Sequence, residues 1–339
     1  MFGTYRTLLA LMVVTFHIGR VPIIGEYAVF GFYTLSGYLM TLIMQKNYHY
    51  TLSGTGKYAL NRFLRIYPLY WISIVMSLAL IAGLGEEATR AYHHAIFLPD
   101  TLANWLKNIL LIFPSGSLPR LTPPAWALTV ELFYYICIGL GLSRYRWLVF
   151  VWLSAGVGYH IVTYLAGMEF SYRYYPIEAA SLPFATGALI YHYKDRIDAW
   201  LSRTLGSYSG SVSYLVFGMV IINWYTGVKT GHSHGISFYI NYVLCVMMVM
   251  LLMSRTTLPF ISRRFDKWMG DLSYPIYLIH YQVALFVIVV LQWTGTHLTR
   301  PDNLLMAVSI PIIMLVSLLL AKTVELPVEG VRSMVKKWR

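Results

Sequence analysis

A histidine and an arginine near the start of the chain are the first residues whose types and spacing suggest chemistry. Arg6 and His17 stand eleven residues apart in a stretch that is otherwise largely apolar. Eleven residues make close to three turns of an α-helix, so both side chains would lie on one face, about 16 Å apart along its axis. Imidazole accepts a hydroxyl proton near neutral pH, which makes His17 a candidate general base. Alternatively, Arg6 reaches the membrane interface and His17 bonds a neighbouring helix.

A pair of arginines forms the second candidate. Arg62 and Arg65 stand three residues apart just before Pro68, a spacing that places both guanidinium groups on one helical face. Planar guanidinium groups bind phosphate well, so the pair predicts a site for a phosphorylated ligand. Anchoring of a helix end at the cytoplasmic side of a membrane would also explain the two residues. The sequence leaves both interpretations open.

Glu131 and Ser36 are polar residues inside apolar runs. Glu131 lies in an aromatic-rich run that begins near Trp126, and a carboxylate buried there needs a partner. It would either hold an arginine or a hydroxyl group structurally, or orient His17 or a substrate hydroxyl. Ser36 lacks the flanking glycines of a nucleophile elbow, so we interpret it as a packing residue or as a hydrogen-bond partner of a ligand.

Tyr277 and His280 share one helical face, three residues apart. They would contact substrate, or His280 would be an ordinary packing histidine whose hydrogen bonds are satisfied. The other histidines, His93 and His94 among them, and the two cysteines have no other metal-type ligands at suitable spacing. We therefore predict neither a metal nor a permanently bound cofactor.

Composition sets the class of protein. Of 339 residues, 58% are hydrophobic and only 12% are charged, which is far more apolar than a water-soluble domain requires. The apolar runs predict an all-α polytopic bundle, in which the first run remains as an uncleaved anchor. The ten predicted membrane spans are roughly residues 4–20, 28–45, 66–84, 125–142, 147–167, 179–193, 207–226, 236–253, 271–292 and 304–322.

The distribution of basic residues predicts the orientation. An even number of spans places both termini on one side, and a cytoplasmic location for them leaves only seven of the 26 Lys and Arg residues in outer loops. The net charge of +12 is spread over short loops, so we expect no nucleic-acid partner. We predict a single membrane domain over residues 1–339, with spans within 4–322 and a short basic cytoplasmic tail at 323–339. The outer basic residues are Arg20, Arg90, Lys107, Arg120, Arg173, Lys229 and Arg300.

The longest outer connection, about Gly85 to Pro124, contains an amphipathic stretch at Leu102–Phe113. Four prolines follow it, beginning with Pro114. This pattern predicts an interfacial helix and a rigid return that would cover a cavity.

Together the motifs resemble those of the acyltransferase 3 family of membrane O-acyltransferases, over nearly the whole chain. Each motif is weak alone, but six in the same order are specific. Ala127 and Tyr33 depart from the family's usual Ser and Phe, and neither affects the proposed base. The matching pieces are Arg6 and His17 with ten residues between them, Phe32–Tyr38, Arg62–Pro68, Trp126–Glu131, Tyr277–His280 and Val324–Pro327.

The resemblance implies an acyl-CoA donor substrate, usually acetyl-CoA, used from the cytoplasm. It implies as acceptor a hydroxyl of an extracytoplasmic or membrane-linked carbohydrate or glycolipid. We expect an integral protein of the bacterial cytoplasmic (inner) membrane, in contact with lipid and of unknown oligomeric state. The expected roles are catalysis for His17 and Glu131, donor binding for Arg6, Arg62 and Arg65, and substrate or structural contacts for Ser36, Tyr38, Trp126, Tyr277 and His280.

The sequence leaves open both the route of transfer and the class of protein. Transfer would be direct, or it would pass through an acyl group carried on His17 or on a hydroxyl. The main rival class is a secondary transporter or flippase in which Arg6, His17 and Glu131 line a pathway. The sequence has no internal repeat and no paired broken helices, which favours the enzyme.

Overall fold

The structure is a computed structural model that describes residues 1–113, 118–255 and 258–337. These residues form α-helices joined by short connections, and they include no β-strand. The helices are α1 Gly3–Ile18, α2 Ile24–Ile43, α3 Leu52–Leu84, α4 Glu86–Tyr92, α5 Leu102–Leu110, α6 Ala125–Gly139, α7 Arg146–Leu165, α8 Ile177–Leu205, α9 Ser209–Thr230, α10 Ile236–Leu252, α11 Arg263–Trp293, α12 Asn303–Leu320 and α13 Leu326–Lys337.

Each of the ten predicted spans lies on one of these helices, which confirms the all-α class. Among the described residues, α2, α3, α7, α9, α11 and α12 are long and apolar enough to cross a membrane. Helices α1, α6 and α10 are apolar but have only 10–17 residues. Helix α8 has 29 residues, but its second half is charged. The ten crossings and the cytoplasmic termini stay predictions.

Several helices extend beyond the apolar runs that predicted them. Helix α3 begins at Leu52, and α11 begins at Arg263. The predicted basic tail, residues 323–339, is helical as far as the structure describes it. A π-helical segment, Ala321–Glu325, joins α12 to α13. Arg332 on α13 is only 7% exposed. The last two residues of the predicted tail, 338 and 339, lie outside the described residues.

The predicted amphipathic stretch contains helix α5. Thr101 caps it by accepting a hydrogen bond from the backbone N–H of Asn104 at 3.2 Å. The hydroxyl of Tyr70 on α3 donates to the carbonyl of Asn108 at 2.5 Å, and the side-chain amide of Asn108 donates to the carbonyl of Pro119 at 2.9 Å. These bonds fix α5 and the return of the chain to α3. Pro114, the first residue of the predicted return, lies outside the described residues.

The chain divides into two compact units, each built from several segments. Unit 1 consists of Met1–Leu9, Pro22–Ala59 and Val130–Gly270. Unit 2 consists of Ala10–Val21, Leu60–Thr129 and Asp271–Arg339.

In unit 1, α2 and α8 pack closely because small residues face each other. A Cβ on Gly37 would lie 2.1 Å from the carbonyl oxygen of Phe184, and one on Gly187 would lie 2.0 Å from that of Thr34. Only glycine permits backbones to approach this closely. The contact explains why a glycine follows Ser36 in the motif.

Replacing Gly37 by alanine is expected to lower the free energy of unfolding by about 1–3 kcal/mol, because the new methyl group must separate α2 from α8. Gly218 on α9 is the matched control, since a Cβ there meets nothing within 4 Å. Alanine at Gly218 should be neutral or stabilise α9 by up to about 1 kcal/mol. Thermal unfolding of both purified variants in detergent measures the difference. Equal melting temperatures would contradict the close packing.

In unit 2, polar side chains connect α3 to α11 and to the return after α5. Ser73 and Thr122 are 2.7 Å apart at their hydroxyl oxygens. The side-chain amide of Gln282 donates to the hydroxyl of Ser77 at 3.0 Å. All four side chains are buried, so these bonds fix the position of α11, which carries one of the candidate histidines.

Candidate active site

His17 and His280 are in direct contact within unit 2. His17 occupies the last turn of α1, and His280 is fully buried on α11, five residues after Pro275. Nδ1 of His17 lies 2.9 Å from Nε2 of His280. The histidine on the first helix therefore has an imidazole as its hydrogen-bond partner.

The hydrogen bonds of His280 assign the tautomer of both rings when they are neutral. Nδ1 of His280 lies 2.8 Å from the carbonyl oxygen of Tyr277, which can only accept, so this nitrogen carries the hydrogen. Nε2 of His280 is then an acceptor, and Nδ1 of His17 must donate to it. The lone pair of His17 is left on Nε2. A neutral His17 is thus oriented as a base, with Nε2 as the atom that takes a proton.

Tyr281 and His93 surround the histidine pair. The ring of Tyr281 is centred 5.0 Å from that of His17 and 4.8 Å from that of His93. Nδ1 of His93 accepts a hydrogen bond from the backbone N–H of Ala95 at 3.1 Å. Burial, together with the nearby charge of Arg300, lowers the pKa of His93 to about 3, so this ring is neutral at physiological pH. The sequence of the loop that carries His93 gives no sign of this contact, so it predicts no role for His93.

Arg300 reaches the same cluster from the connection between α11 and α12. Its Nη1 donates to the carbonyl oxygen of His17 at 3.0 Å, and its guanidinium carbon lies 4.9 Å from the centre of the Tyr281 ring. From the sequence alone, Arg300 is only a basic residue in a predicted outer loop. It is 283 residues from His17, and no local pattern could have connected them.

Arg62 and Arg65 belong to a second polar cluster in unit 2. Nη1 of Arg65 pairs with Oε1 of Glu325 at 3.2 Å. The side-chain oxygen of Asn61 accepts from Nη2 of Arg62 at 2.8 Å and from Nη2 of Arg332 at 3.1 Å. Three guanidinium groups therefore gather here. The sequence alone predicts no role for Arg332 or Glu325, although Glu325 lies in one of the motifs that carry the family resemblance.

Glu131 accepts hydrogen bonds from two hydroxyls in unit 1. Oγ of Ser36 donates to its Oε1 at 2.5 Å, and the hydroxyl of Tyr135 donates to the same oxygen. These are the partners that the structural interpretation of Glu131 requires, and they connect α2 to α6. Tyr38 is buried nearby on α2, with its ring centred 5.8 Å from that of Phe2.

The remaining candidates occupy separate positions. The hydroxyl of Tyr277 donates to the carbonyl of Pro124 at 3.0 Å, and Trp126 lies half-buried in the first turn of α6. Arg6 belongs to unit 1, where its guanidinium lies so close to Gly270 that a Cβ there would be 3.1 Å from Nη2. Over the described ranges, no group of three or more His, Cys, Asp or Glu residues is arranged to hold a metal ion.

The comparison with protein families gives one match. A family model described as an acyltransferase domain, acyltransferase 3, matches residues 4–322, which is nearly the whole chain. Searches of curated proteins and of solved structures found no match.

Proposed function

Because the chain belongs to the acyltransferase 3 family, we propose that it moves an acyl group from acyl-CoA to a hydroxyl of a carbohydrate or glycolipid. Acetyl is the proposed acyl group. The observation that carries the proposal is the histidine pair, in which the hydrogen bonds leave Nε2 of His17 with a lone pair for an acceptor proton. The family is one of acyltransferases, and a base of this kind is what transfer to a hydroxyl requires.

In the proposed reaction, the oxygen of the acceptor hydroxyl attacks the thioester carbonyl. As it does so, the hydroxyl gives its proton to Nε2 of His17. The carbonyl π electrons move to oxygen and form a tetrahedral intermediate. When the carbonyl forms again, the carbon–sulfur bond breaks, and the CoA thiolate takes the proton from His17. His280 holds the ring of His17 in the required tautomer throughout, and its own bond to the carbonyl of Tyr277 fixes its orientation. We therefore assign His280 the role of a positioning residue.

The donor's phosphates are proposed to bind at the second polar cluster of unit 2, called the arginine cluster below, which contains Arg62 and Arg65 on α3 and Arg332 on α13. Arg62 and Arg65 supply planar donors suited to phosphate, and Arg332 lies beside them. The cavity between Arg65, Glu325 and Arg332 has a volume of about 10 Å³, enough for one water molecule. A phosphate would therefore contact the exposed edge of this cluster, or take the place of the Glu325 carboxylate on Arg65.

The membrane arrangement is part of the proposal. Ten crossings with both termini in the cytoplasm, in a bacterial inner membrane, place the arginine cluster on the side where acyl-CoA is available. Glu131, with Ser36 and Tyr135, holds α2 to α6 and remains a candidate for orienting the acceptor hydroxyl.

Transfer of radiolabelled acetyl from acetyl-CoA tests the function. Membranes that contain the wild-type protein are expected to incorporate label into a glycan or glycolipid fraction, whereas membranes without the protein do not. The labelled fraction identifies the acceptor class, and alkaline release of the label as acetate identifies an ester. If wild-type membranes incorporate no label, the acetyl donor is wrong, and the transporter becomes the better account.

A further inference from the structure

The guanidinium of Arg300 lies beside His17 with its charge uncompensated by any carboxylate in the described part of the chain. Its Nη1 donates to the carbonyl oxygen of His17 at 3.0 Å, and its Nη2 lies 3.5 Å from the carbonyl oxygen of Tyr92. Its Nε is buried and has no hydrogen-bond partner among the described residues. The group therefore retains a positive charge and an N–H donor that none of the described residues satisfies.

Two aromatic rings orient Arg300 without neutralising it. The guanidinium carbon lies 5.3 Å from the centre of the Tyr92 ring and 4.9 Å from that of Tyr281. A cation–π contact stabilises a cation but leaves its net charge in place. The Tyr281 ring is also centred 5.0 Å from that of His17, so one ring contacts both the cation and the proposed base.

Anchoring of the end of α1 does not require Arg300, since neighbouring residues already provide it. The backbone N–H of Asp302 donates to the carbonyl of Ile18 at 2.8 Å, and that of Arg20 donates to the side chain of Asn303 at 2.9 Å. Arg20 also pairs with Asp302 at 3.3 Å. Arg20 and Arg300 thus both connect the end of α1 to residues 300–303. Of the two arginines, Arg300 contacts the aromatic rings around the histidines.

We propose that Arg300 is a catalytic residue that stabilises the oxyanion of the tetrahedral intermediate formed next to His17. The inference rests on the proposed function. When the acceptor oxygen bonds to the thioester carbon, its proton goes to His17 and the carbonyl π electrons become a negative charge on oxygen. That oxygen accepts a hydrogen bond from Arg300 until the carbonyl forms again and the thiolate leaves. The neutral carbonyl of the bound donor interacts with the cation far more weakly, so the contact favours the intermediate.

Replacing Arg300 by alanine is expected to lower kcat by about 100- to 1,000-fold, as loss of an oxyanion-stabilising donor does. The KM for acetyl-CoA should stay unchanged, because the donor's phosphates bind elsewhere. Arg300→Lys keeps the charge and should retain part of kcat. The assay is acetyl transfer from labelled acetyl-CoA into the acceptor fraction of membranes, with equal amounts of correctly folded protein confirmed by size-exclusion chromatography.

Arg20→Ala is the matched control. It removes an arginine that connects the same segments, so it should retain wild-type kcat if Arg300 acts through its charge at the reacting carbonyl. Guanidinium at millimolar concentration, with ionic strength matched by sodium chloride, is expected to restore part of the activity of Arg300→Ala by occupying the space between Tyr92 and Tyr281. A purely structural defect would not respond to it.

Three results would overturn the role of Arg300: wild-type kcat in Arg300→Ala, an equal loss in Arg20→Ala, or an effect on KM alone. A change in the KM for acetyl-CoA with an unchanged kcat would assign Arg300 to binding of the anionic donor. These outcomes differ from failure of the proposed function, in which the wild-type protein itself transfers no label.

Discussion

Replacing His17 by alanine is expected to reduce acetyl transfer by about 100- to 10,000-fold, the range for loss of a general base. The acceptor hydroxyl would then have to attack without giving its proton to Nε2. Binding of the donor should persist, because the proposed phosphate contacts do not involve His17. Transfer of labelled acetyl and equilibrium binding of labelled CoA to the same purified variant measure the two effects separately.

His160 provides the control for loss of packing. It is a buried histidine on α7 with two hydrogen bonds, to the hydroxyl of Tyr239 at 3.1 Å and to the carbonyl of Ala179 at 2.9 Å. The variant His160→Ala removes a comparable buried ring in unit 1, so it should lose stability but keep transfer per folded molecule. If His17→Ala transfers label as fast as the wild type, the general-base mechanism is wrong. An acetyl group trapped on His17 would instead favour the two-step route.

The helical architecture could be predicted because apolar runs of membrane-spanning length have few other structures available to them. The true helix ends could not be predicted. Helix α3 begins at Leu52, whereas the apolar run covers only residues 66–84, because the first turns of the helix carry Lys57, Asn61 and Arg62. A search for apolar runs stops at such residues, although they continue the helix, and Asn61 and Arg62 belong to the arginine cluster.

The site could be predicted only in part. His17 stood out because an imidazole in an apolar run must have a partner. That the partner is His280 depends on contacts 263 residues apart in the sequence. Arg300 and Arg332 looked like ordinary basic residues at helix ends, and their contacts with His17 and Asn61 arise only from the packing of unit 2. The family resemblance, in contrast, was confirmed by a match to residues 4–322, because it depended on the order of several motifs.

Exchange of the charges of Arg65 and Glu325 is expected to distinguish the effect of Arg65 on stability from its effect on donor binding. Their side chains are 22% and 10% exposed, so this is a largely buried ion pair. Arg65→Glu alone places two carboxylates together and should destabilise the protein by about 3–5 kcal/mol, as removal of one partner of a buried pair does. The double variant Arg65→Glu with Glu325→Arg restores opposite charges and should recover most of that stability, measured by thermal unfolding in detergent.

Donor binding should not recover in the double variant. If Arg65 contacts the phosphates of acyl-CoA, a carboxylate at that position weakens CoA binding by about 10- to 100-fold, since a hydrogen bond to a charged group contributes about 1.5–3 kcal/mol. The same exchange at the exposed Glu86–Arg90 pair on α4 is the control and should leave CoA affinity unchanged. If the double variant binds CoA with wild-type affinity, Arg65 is only a structural partner of Glu325. The donor's phosphates then bind at another part of the protein.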